Sequence, residues 1–208
     1  MKKIIKKLII LSCIVISCLV IFILALYIFQ RNTAHVDLNK TMTIFSQGSN
    51  SQKNSLITKI KAHPEKYAPP VFYALSDVLF KTDKKAAMFW FYAGQLRARY
   101  DANRCTDVSA GAAIGSLNYS FGLQINQYAF KNLDQLKSTI EEVIKFDKKT
   151  PHKYDQRWIN FHGMAAFDKN NKMTSKPRSE WEAIEQKTRD DYFKDFQNAI
   201  KQLEKTQP

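Results

Sequence analysis

Two stretches of the chain concentrate side chains that can donate, accept or transfer protons. The first holds Arg97, Arg99, Tyr100, Asp101, Asn103, Arg104 and Asp107. The second holds His152, Tyr154, Asp155, Arg157, Trp158 and His162. Carboxylate, imidazole and guanidinium groups act as acids and bases in enzymes and as contacts in interfaces. The sequence therefore identifies two candidate sites, which we call the Arg97 cluster and the His152 cluster.

Asp155 and His162 have the spacing of an acid–base pair. In an α-helix, two residues seven apart lie on one face, separated by about two turns, and Arg157 lies beside them. They could together form a general-base site. No serine or cysteine nucleophile and no glycine-rich phosphate loop is close to them in sequence. This pattern gives an alternative function, a hydrolase of the cell envelope that uses Asp155 and His162 as acid and base.

The same residues allow two interpretations without catalysis. Arginines and carboxylates of the two clusters can pair with each other and fix the register of neighbouring helices. They can also form a surface that binds another protein, since arginine and tryptophan contribute strongly to interfaces. The candidate binding residues are Arg97, Arg99, Asp101, Arg104, Asp107, Tyr154, Asp155, Arg157, Trp158 and His162. The favoured contacts among them are Arg97, Arg99, Arg104, Arg157 and Trp158.

Histidines and cysteines do not follow the spacing of a metal site. The histidines are His35, His63, His152 and His162, and the chain has no CxxC or HExxH pattern. We therefore expect no metal and no cofactor. Cys105 is the only cysteine after residue 18, so the exported part has no internal disulfide. Cys105 is either a small buried hydrophobic residue or a reactive thiol whose thiolate is favoured by Arg104.

The Arg97 cluster lies at the end of a helix pair that the periodicity predicts over residues 69–105. Apolar residues recur at helical spacing on both sides of a short turn at residues 81–83. The first stripe is Val71, Ala74, Leu75, Val78 and Leu79, and the second is Ala86, Phe89, Trp90, Ala93 and Leu96. Two helices alone cannot cover so many aromatic rings. We expect Trp90 to be buried by the helices that contain Leu136, Ile140 and Phe196.

The remaining periodicity is also helical, and no stretch alternates as a strand does. Further helices are predicted from about residues 56, 110, 133, 154 and 179, with a break or bend at Gly122. The predicted fold class is all-α, with an N-terminal transmembrane helix followed by one helical, repeat-like domain. Its parts are a cytoplasmic basic tip and membrane anchor over residues 1–31, a linker over residues 32–55 and an exported all-α domain over residues 56–208.

The N-terminus has the pattern of a membrane anchor. Four lysines occur in the first seven residues, and no charged residue occurs from Leu8 to Phe29. A helix needs roughly 20 residues to cross the hydrocarbon core of a membrane, so this run is long enough. Because lysines stay on the cytoplasmic side, we expect a single-pass protein of the bacterial inner membrane with its C-terminal domain in the periplasm.

A lipoprotein is the alternative for the same segment. Val15, Ile16, Ser17 and Cys18 resemble the lipobox of bacterial lipoproteins, in which the cysteine is lipidated after cleavage just before it. The mature chain would then begin with a long apolar run instead of a polar tether, which favours an uncleaved signal anchor. Both alternatives attach the domain to a membrane and place it outside the cytoplasm.

The charge of the chain limits its partners. It has 32 Lys and Arg against 19 Asp and Glu, and without the four leading lysines the excess of positive charge is still nine. Such a surface attracts anionic lipid headgroups or an acidic protein. We expect no nucleic acid as a partner, because the compartment lacks it and the lysines are spread along the chain.

The helix pair resembles a known repeat. Residues 74–93 are similar to the helix pair of Sel-one-like, tetratricopeptide-type repeats in Ala74, Leu79, Lys85, Ala86, Phe89, Trp90 and Ala93. The glycine-rich turn of those repeats is replaced here by Lys81, Thr82 and Asp83. This resemblance implies a scaffold that binds a protein, and not a catalyst.

The layout of the whole chain also resembles a functional class. A basic tip, one membrane anchor and a small exported helical domain are similar to the immunity proteins that protect bacteria against type VI secretion effectors, including lipases. The resemblance implies an extracytoplasmic, membrane-anchored binding module that is not an enzyme. Its partner would be a protein of the cell envelope, such as a toxin effector.

The predicted orientation has a direct test. A fusion of alkaline phosphatase to the C-terminus should be active in bacterial cells, because this enzyme matures only outside the cytoplasm. A fusion directly after Lys7 is the matched control and should be inactive. An inactive C-terminal fusion would show that the orientation is wrong.

Overall fold

The chain divides into two units, Met1–Val36 and Asp37–Pro208. The computed structural model describes residues 16–23, 36–168 and 175–206. In the first unit, residues 16–23 are helical and exposed. Among the described residues, no helix is long and apolar enough to cross a membrane. Most of the predicted span from Leu8 to Phe29 lies outside the described residues.

The second unit is helical throughout its described part. Its α-helices are α1 (Leu38–Gln47), α2 (Asn50–Ala62), α3 (Pro69–Phe80), α4 (Lys84–Arg104), α5 (Ala112–Phe130), α6 (Leu133–Lys149) and α7 (Trp181–Thr206). Its 3₁₀ helices are η1 (Pro64–Lys66), η2 (Val108–Gly111), η3 (Gln156–His162), η4 (Met164–Phe167) and η5 (Arg178–Glu180). The described residues form no strand, and their one β-type contact is an isolated bridge between Cys105 and Ser175. This confirms the all-α fold class.

The predicted helix pair is formed by α3 and α4. Pro69 lies in the first turn of α3. Backbone N–H groups in a first turn have no partner within the helix, so the N–H that proline lacks costs no hydrogen bond. Asp83 caps α4 by accepting a hydrogen bond from the backbone N–H of Ala86 at 2.9 Å. Gly94 lets the two helices approach closely, because a methyl group there would lie 3.0 Å from the Tyr73 ring. The turn and both helices of the prediction are confirmed.

The core lies where α4 packs against α3, α5, α6 and α7. Trp90 is only 6 % exposed, with its ring 4.9 Å from Phe72 and 5.7 Å from Phe146 of α6. The predicted burial of Trp90 is confirmed. Phe196 of α7 packs against Tyr92 instead, at 5.0 Å.

Part of the predicted linker over residues 32–55 is helical. α1 occupies its middle, and α2 begins with a capping box in which Ser49 and Gln52 bond each other's backbone N–H groups. Leu38, Thr41, Met42 and Phe45 follow helical spacing and are buried or half-buried, but the stripe is short and a threonine takes one of its positions. The linker prediction is therefore wrong from the start of α1 onwards.

Two other elements differ from the prediction. α5 continues through Gly122 without a break. The glycine there serves close packing, since a methyl group would lie 3.1 Å from the Phe91 ring. Residues 154–167, predicted as one short α-helix, contain the 3₁₀ helices η3 and η4 on either side of Gly163.

Trp90→Ala should lower the melting temperature sharply. Loss of a large buried aromatic side chain costs about 3–5 kcal/mol, and the stability of a domain is only about 5–15 kcal/mol. Thermal unfolding followed by circular dichroism measures the change. Tyr119→Ala is the matched control, because Tyr119 is 90 % exposed and its removal should have little effect. Equal melting temperatures for the two variants would contradict this core.

Candidate functional site

The two predicted clusters lie on adjoining elements. The Arg97 cluster occupies the C-terminal half of α4 and the residues leading to η2. The His152 cluster occupies η3 and the segment between α6 and η3. η3 packs against both α4 and η2. The fold thus brings the two clusters together.

Asp101 is the point at which the clusters meet. Its side chain is completely buried, and its carboxylate accepts hydrogen bonds from Arg104 Nη2, from Trp158 Nε1 at 2.7 Å and from Tyr154 Oη at 3.2 Å. Burial raises the pKa of the Asp101 carboxyl, although the Arg104 charge and the Trp158 N–H act in the opposite direction. The two clusters therefore contact each other through Trp158 and Tyr154. The predicted arginine–carboxylate pairs between the clusters are not formed among the described residues, since Arg104 and Asp101 belong to the same cluster.

A second buried carboxylate, Asp147 at the end of α6, lies outside both predicted clusters. It accepts hydrogen bonds from Arg97 Nε and Arg189 Nη1, each at 3.1 Å, and lies 2.9 Å from His152 Nε2. Arg97 Nη2 also donates to the carbonyl oxygen of Thr150 at 2.8 Å. Burial raises the pKa of Asp147, but the bond and charge of His152 and the charge of Arg97 outweigh it and lower this pKa to about 2. The ionised carboxylate joins α4, α6 and α7.

Aromatic rings cover the buried guanidinium groups. The Arg97 guanidinium lies 5.3 Å from the Phe72 ring centroid and 5.2 Å from that of Phe146. The Arg104 guanidinium lies 4.6 Å from the Tyr100 ring centroid and 4.5 Å from that of Trp181. These distances are those of cation–π contacts. Arg97 and Arg104 are almost fully buried, so neither can contact a partner. Their predicted role as binding residues is wrong, because the rings and carboxylates of this chain already enclose them.

The burial of Asp147 and Arg189 is predictable from the sequence. Asp147 continues the apolar stripe of α6 that runs through Leu136, Ile140 and Val143, and all four are buried. Arg189 lies in the buried stripe of α7 beside Thr188 and Tyr192. A charged residue at an apolar stripe position indicates a buried ion pair.

Three other predicted residues form ion pairs at the surface. Arg99 pairs with Asp195 of α7 at 3.2 Å and lies over the Tyr192 ring. Arg157 pairs with Asp155 at 2.6 Å, with most of its side chain in solvent. Exposed pairs of this kind contribute little stability, about 0–1 kcal/mol. Their side chains stay accessible from outside.

Asp155 and His162 do not share an α-helical face. Asp155 is the N-cap of η3 and binds the Arg157 backbone N–H and guanidinium. His162 is the last residue of η3 and lies edge-on to the Trp158 ring at 5.8 Å. A 3₁₀ helix has about three residues per turn, so residues seven apart point about a third of a turn away from each other. The predicted acid–base geometry is therefore wrong.

Asp107 joins η2 to η4. Its carboxylate accepts hydrogen bonds from the backbone N–H of Ser109 at 2.9 Å and from that of Ala165 at 2.7 Å. The Ser109 hydroxyl in turn accepts a bond from the backbone N–H of Met164 at 2.8 Å. Only glycine fits at position 163, because a methyl group there would overlap the Asp107 carboxylate. The Ser109 hydroxyl and the two N–H groups hold the pKa of Asp107 below its usual value.

One group of side chains has the spacing of metal ligands. Atoms of Asp147, His152 and Glu185 lie within 4.8 Å of one another. Arg97 and Arg189 already neutralise Asp147 and Glu185. A divalent ion would add two uncompensated positive charges in a buried site, which costs several kcal/mol per ion. The charge arrangement therefore disfavours a metal here.

Cys105 has the surroundings of a structural thiol. It is buried and donates a hydrogen bond to Asn160 Oδ1 at 2.7 Å. Burial, followed by the charge of Asp101, raises the pKa of Cys105 to about 11. Since thiolates are the reactive form, this thiol is unreactive at neutral pH. The interpretation as a small buried residue fits better than that of a reactive thiol.

Asp147→Asn should destabilise the protein at neutral pH and much less near pH 2. The folded pKa of about 2 lies below the ordinary value of 3.8, so the carboxylate contributes stability above pH 3.8 that is lost as the pH falls through 2. Breaking a buried pair costs about 3–5 kcal/mol. Urea unfolding at several pH values measures this.

Asp195→Asn is the matched control for this experiment. Asp195 also pairs with an arginine, but at the surface, so its loss should cost less than about 1 kcal/mol. A destabilisation by Asp147→Asn that is equal to that of the control at pH 7, or that does not change with pH, would contradict the role assigned to Asp147.

Comparison with known proteins adds no relative. No protein-family model, no curated protein and no solved structure matches the chain.

Proposed function

We propose that the protein is a membrane-anchored binding module of the bacterial cell envelope, and that the outer face of α5 contacts its partner protein. One observation supports this most. None of the 19 residues of α5 is charged, whereas charged residues make up 25 % of the chain. A helix at the surface of a protein usually presents charged residues to solvent. An uncharged exposed face is typical of an interface.

The exposed residues of α5 suit a partner helix. Tyr119 and Leu123 project into solvent. Near its N-terminal end, methyl groups placed at Gly111 and Gly115 would meet no atom within 4 Å. A helix with an uncharged, partly apolar face can approach closely at the glycines and pack against Tyr119 and Leu123. Tyrosine is among the residues that contribute most to binding energy.

The buried network favours binding over catalysis. Contacts within the fold already occupy the polar groups of Arg97, Asp101 and Asp147, so these side chains are not available to a substrate. The α3–α4 pair, which resembles a protein-binding repeat, supports α5 as a rigid base through direct packing. Arg99 and Arg157 are exposed and remain candidates for contacts at the edge of the interface.

Anchoring is part of the proposal. The uncharged run from Leu8 to Phe29 would cross the inner membrane with the N-terminus in the cytoplasm, and lipidation of Cys18 is the alternative attachment. An anchored envelope domain with this layout resembles immunity proteins, so we propose a secreted toxin effector, such as a lipase, as the partner. Neutralising a toxin requires tight binding and no catalysis, which a preformed helix face can supply.

Site-specific photocrosslinking tests the proposed surface. A photoreactive amino acid in place of Tyr119 in the full-length chain should crosslink to a protein in cells, and mass spectrometry identifies it. The same amino acid in place of Asn198, exposed on α7, should not. The identified protein, purified, should bind the wild-type chain in titration calorimetry.

A charge substitution completes this test. Leu123→Lys should weaken binding to the purified partner at least tenfold, about 1.4 kcal/mol, because it places a charge in an apolar interface. Asn198→Lys adds the same charge elsewhere and should leave binding unchanged. The proposal is wrong if Leu123→Lys binds as well as the wild type, or if both positions crosslink to the same proteins.

A further inference from the structure

A groove lies between α1, α5 and η3, with a volume of about 230 Å³. We call it the α1–α5 groove. Ser116 and Ser120 of α5 line it, and both are also exposed to solvent. The groove therefore opens beside the outer face of α5, which is the surface proposed to contact a partner protein.

The lining of the α1–α5 groove is uncharged. None of the ten described residues that line it is an aspartate, glutamate, lysine or arginine. A charged group placed there would lose water without gaining an opposite charge, which is costly. The groove therefore accepts an uncharged group. Most of its surface is apolar, supplied by Leu38, Met42, Pro70, Ala113, Leu117 and Trp158.

The η3 side of the groove favours an aromatic ring. Trp158 is held in place, because its Nε1 donates a hydrogen bond to the buried Asp101 at 2.7 Å. The His162 ring lies edge-on to it at 5.8 Å, and the thioether of Met42 also lines the groove. Aromatic rings and thioether sulfurs make favourable contacts with a further ring. This part of the groove is thus formed before any ligand arrives.

The size and the polar groups of the groove suit a phenol. An apolar cavity of about 150 Å³ can hold a benzene molecule, so about 230 Å³ leaves room for a ring with one substituent. The polar lining residues are Asn39, Ser116, Ser120 and His162. Their amide, hydroxyl and imidazole groups can exchange hydrogen bonds with a phenol hydroxyl. A tyrosine side chain has this ring and this hydroxyl.

We propose that the α1–α5 groove binds a tyrosine side chain of the partner protein that contacts α5. The source of the tyrosine rests on the proposed function, whereas the preference of the groove for a phenol does not. Interfaces commonly place such an aromatic anchor in a pocket, surrounded by contacts that exclude water. Tyr119 and Leu123 of α5 are exposed beside the groove and would supply part of that surrounding contact.

Nuclear magnetic resonance with p-cresol, the tyrosine side chain as a free molecule, tests the groove. The full-length chain carries ¹³C-labelled methionine methyl groups, and Met42→Leu identifies the Met42 signal by its loss. Addition of p-cresol should shift the Met42 signal until it saturates. Met88 is the internal reference and should not shift, because it is completely buried in α4. The anion p-toluate, which carries a carboxylate on the same ring, should bind at least tenfold more weakly.

Variants that fill the groove locate the binding. Ser116→Phe puts a ring of the chain itself into the groove and should abolish the shift of Met42. Gln127→Phe is the matched control, since it lies eleven residues further along the exposed face of α5, about 16 Å away. It should bind p-cresol as the wild type does. Thermal unfolding checks both variants, and Ser120→Phe fills the same groove if Ser116→Phe does not fold.

The partner identified by crosslinking provides the second measurement. It should bind Ser116→Phe at least tenfold more weakly than Asn198→Phe, in which the same side chain is added on α7. Equal binding of the partner to these two variants, with p-cresol bound by the wild type, would mean that the groove takes a free phenol and would overturn the partner tyrosine.

The remaining outcomes separate this inference from the proposed function. An unshifted Met42 signal, an equal shift in Ser116→Phe, or equal affinity for p-toluate and p-cresol overturns the phenol site and leaves binding by α5 standing. Binding of p-cresol by a chain whose α5 crosslinks to no protein refutes the proposed function and the partner tyrosine, but not the phenol site.

Discussion

Buried arginines require buried carboxylates, and this requirement determines how the helices meet. A guanidinium group removed from water costs several kcal/mol unless it is paired and bonded. Arg97 and Arg104 lie on the central helix α4, and Arg104 pairs with Asp101 of the same helix, whereas the carboxylate for Arg97 must come from another helix. Asp147 comes from α6, and Trp158 comes from η3 to share Asp101 with Arg104. The segment between α6 and η3 cannot be a loose loop, because its residues complete the pairing.

The sequence predicts the parts of this fold that depend on apolar periodicity. Two features show this best: the α3–α4 pair, and α6, which begins at Leu133 as predicted. Periodicity is less visible in a short helix such as α1, where a threonine, Thr41, takes one of the two buried positions. It fails at Gly122, since a glycine that breaks a helix and one that admits the Phe91 ring look the same in sequence.

The candidate site was predictable as a set of residue types but not as a geometry. The sequence indicates that the Arg97 and His152 clusters contact each other, and they do, but through the Tyr154 and Trp158 donors to Asp101 instead of through arginine–carboxylate pairs. The assignment of Arg97 to a binding surface assumed that a charged residue is exposed. The pairing of Asp155 with His162 assumed α-helical rotation, which a run of 3₁₀ turns does not have. Burial and helix type are set by tertiary contacts that no local pattern contains.

The sequence separations within the buried network have a consequence for folding. Arg97 and Asp147 are 50 residues apart, and Asp101 and Trp158 are 57 apart. Contacts between distant residues form late, because the intervening chain must first be ordered. Until they form, Arg97 lacks its carboxylate partner, and the rings of Trp90 and Tyr92 lack the cover of α6 and α7. We therefore expect the α3–α4 pair not to be stable on its own. Unfolding should accordingly be a single cooperative transition for α3 to α7, and a ribosome-bound chain that lacks α6 and α7 would have to wait for them before it could fold.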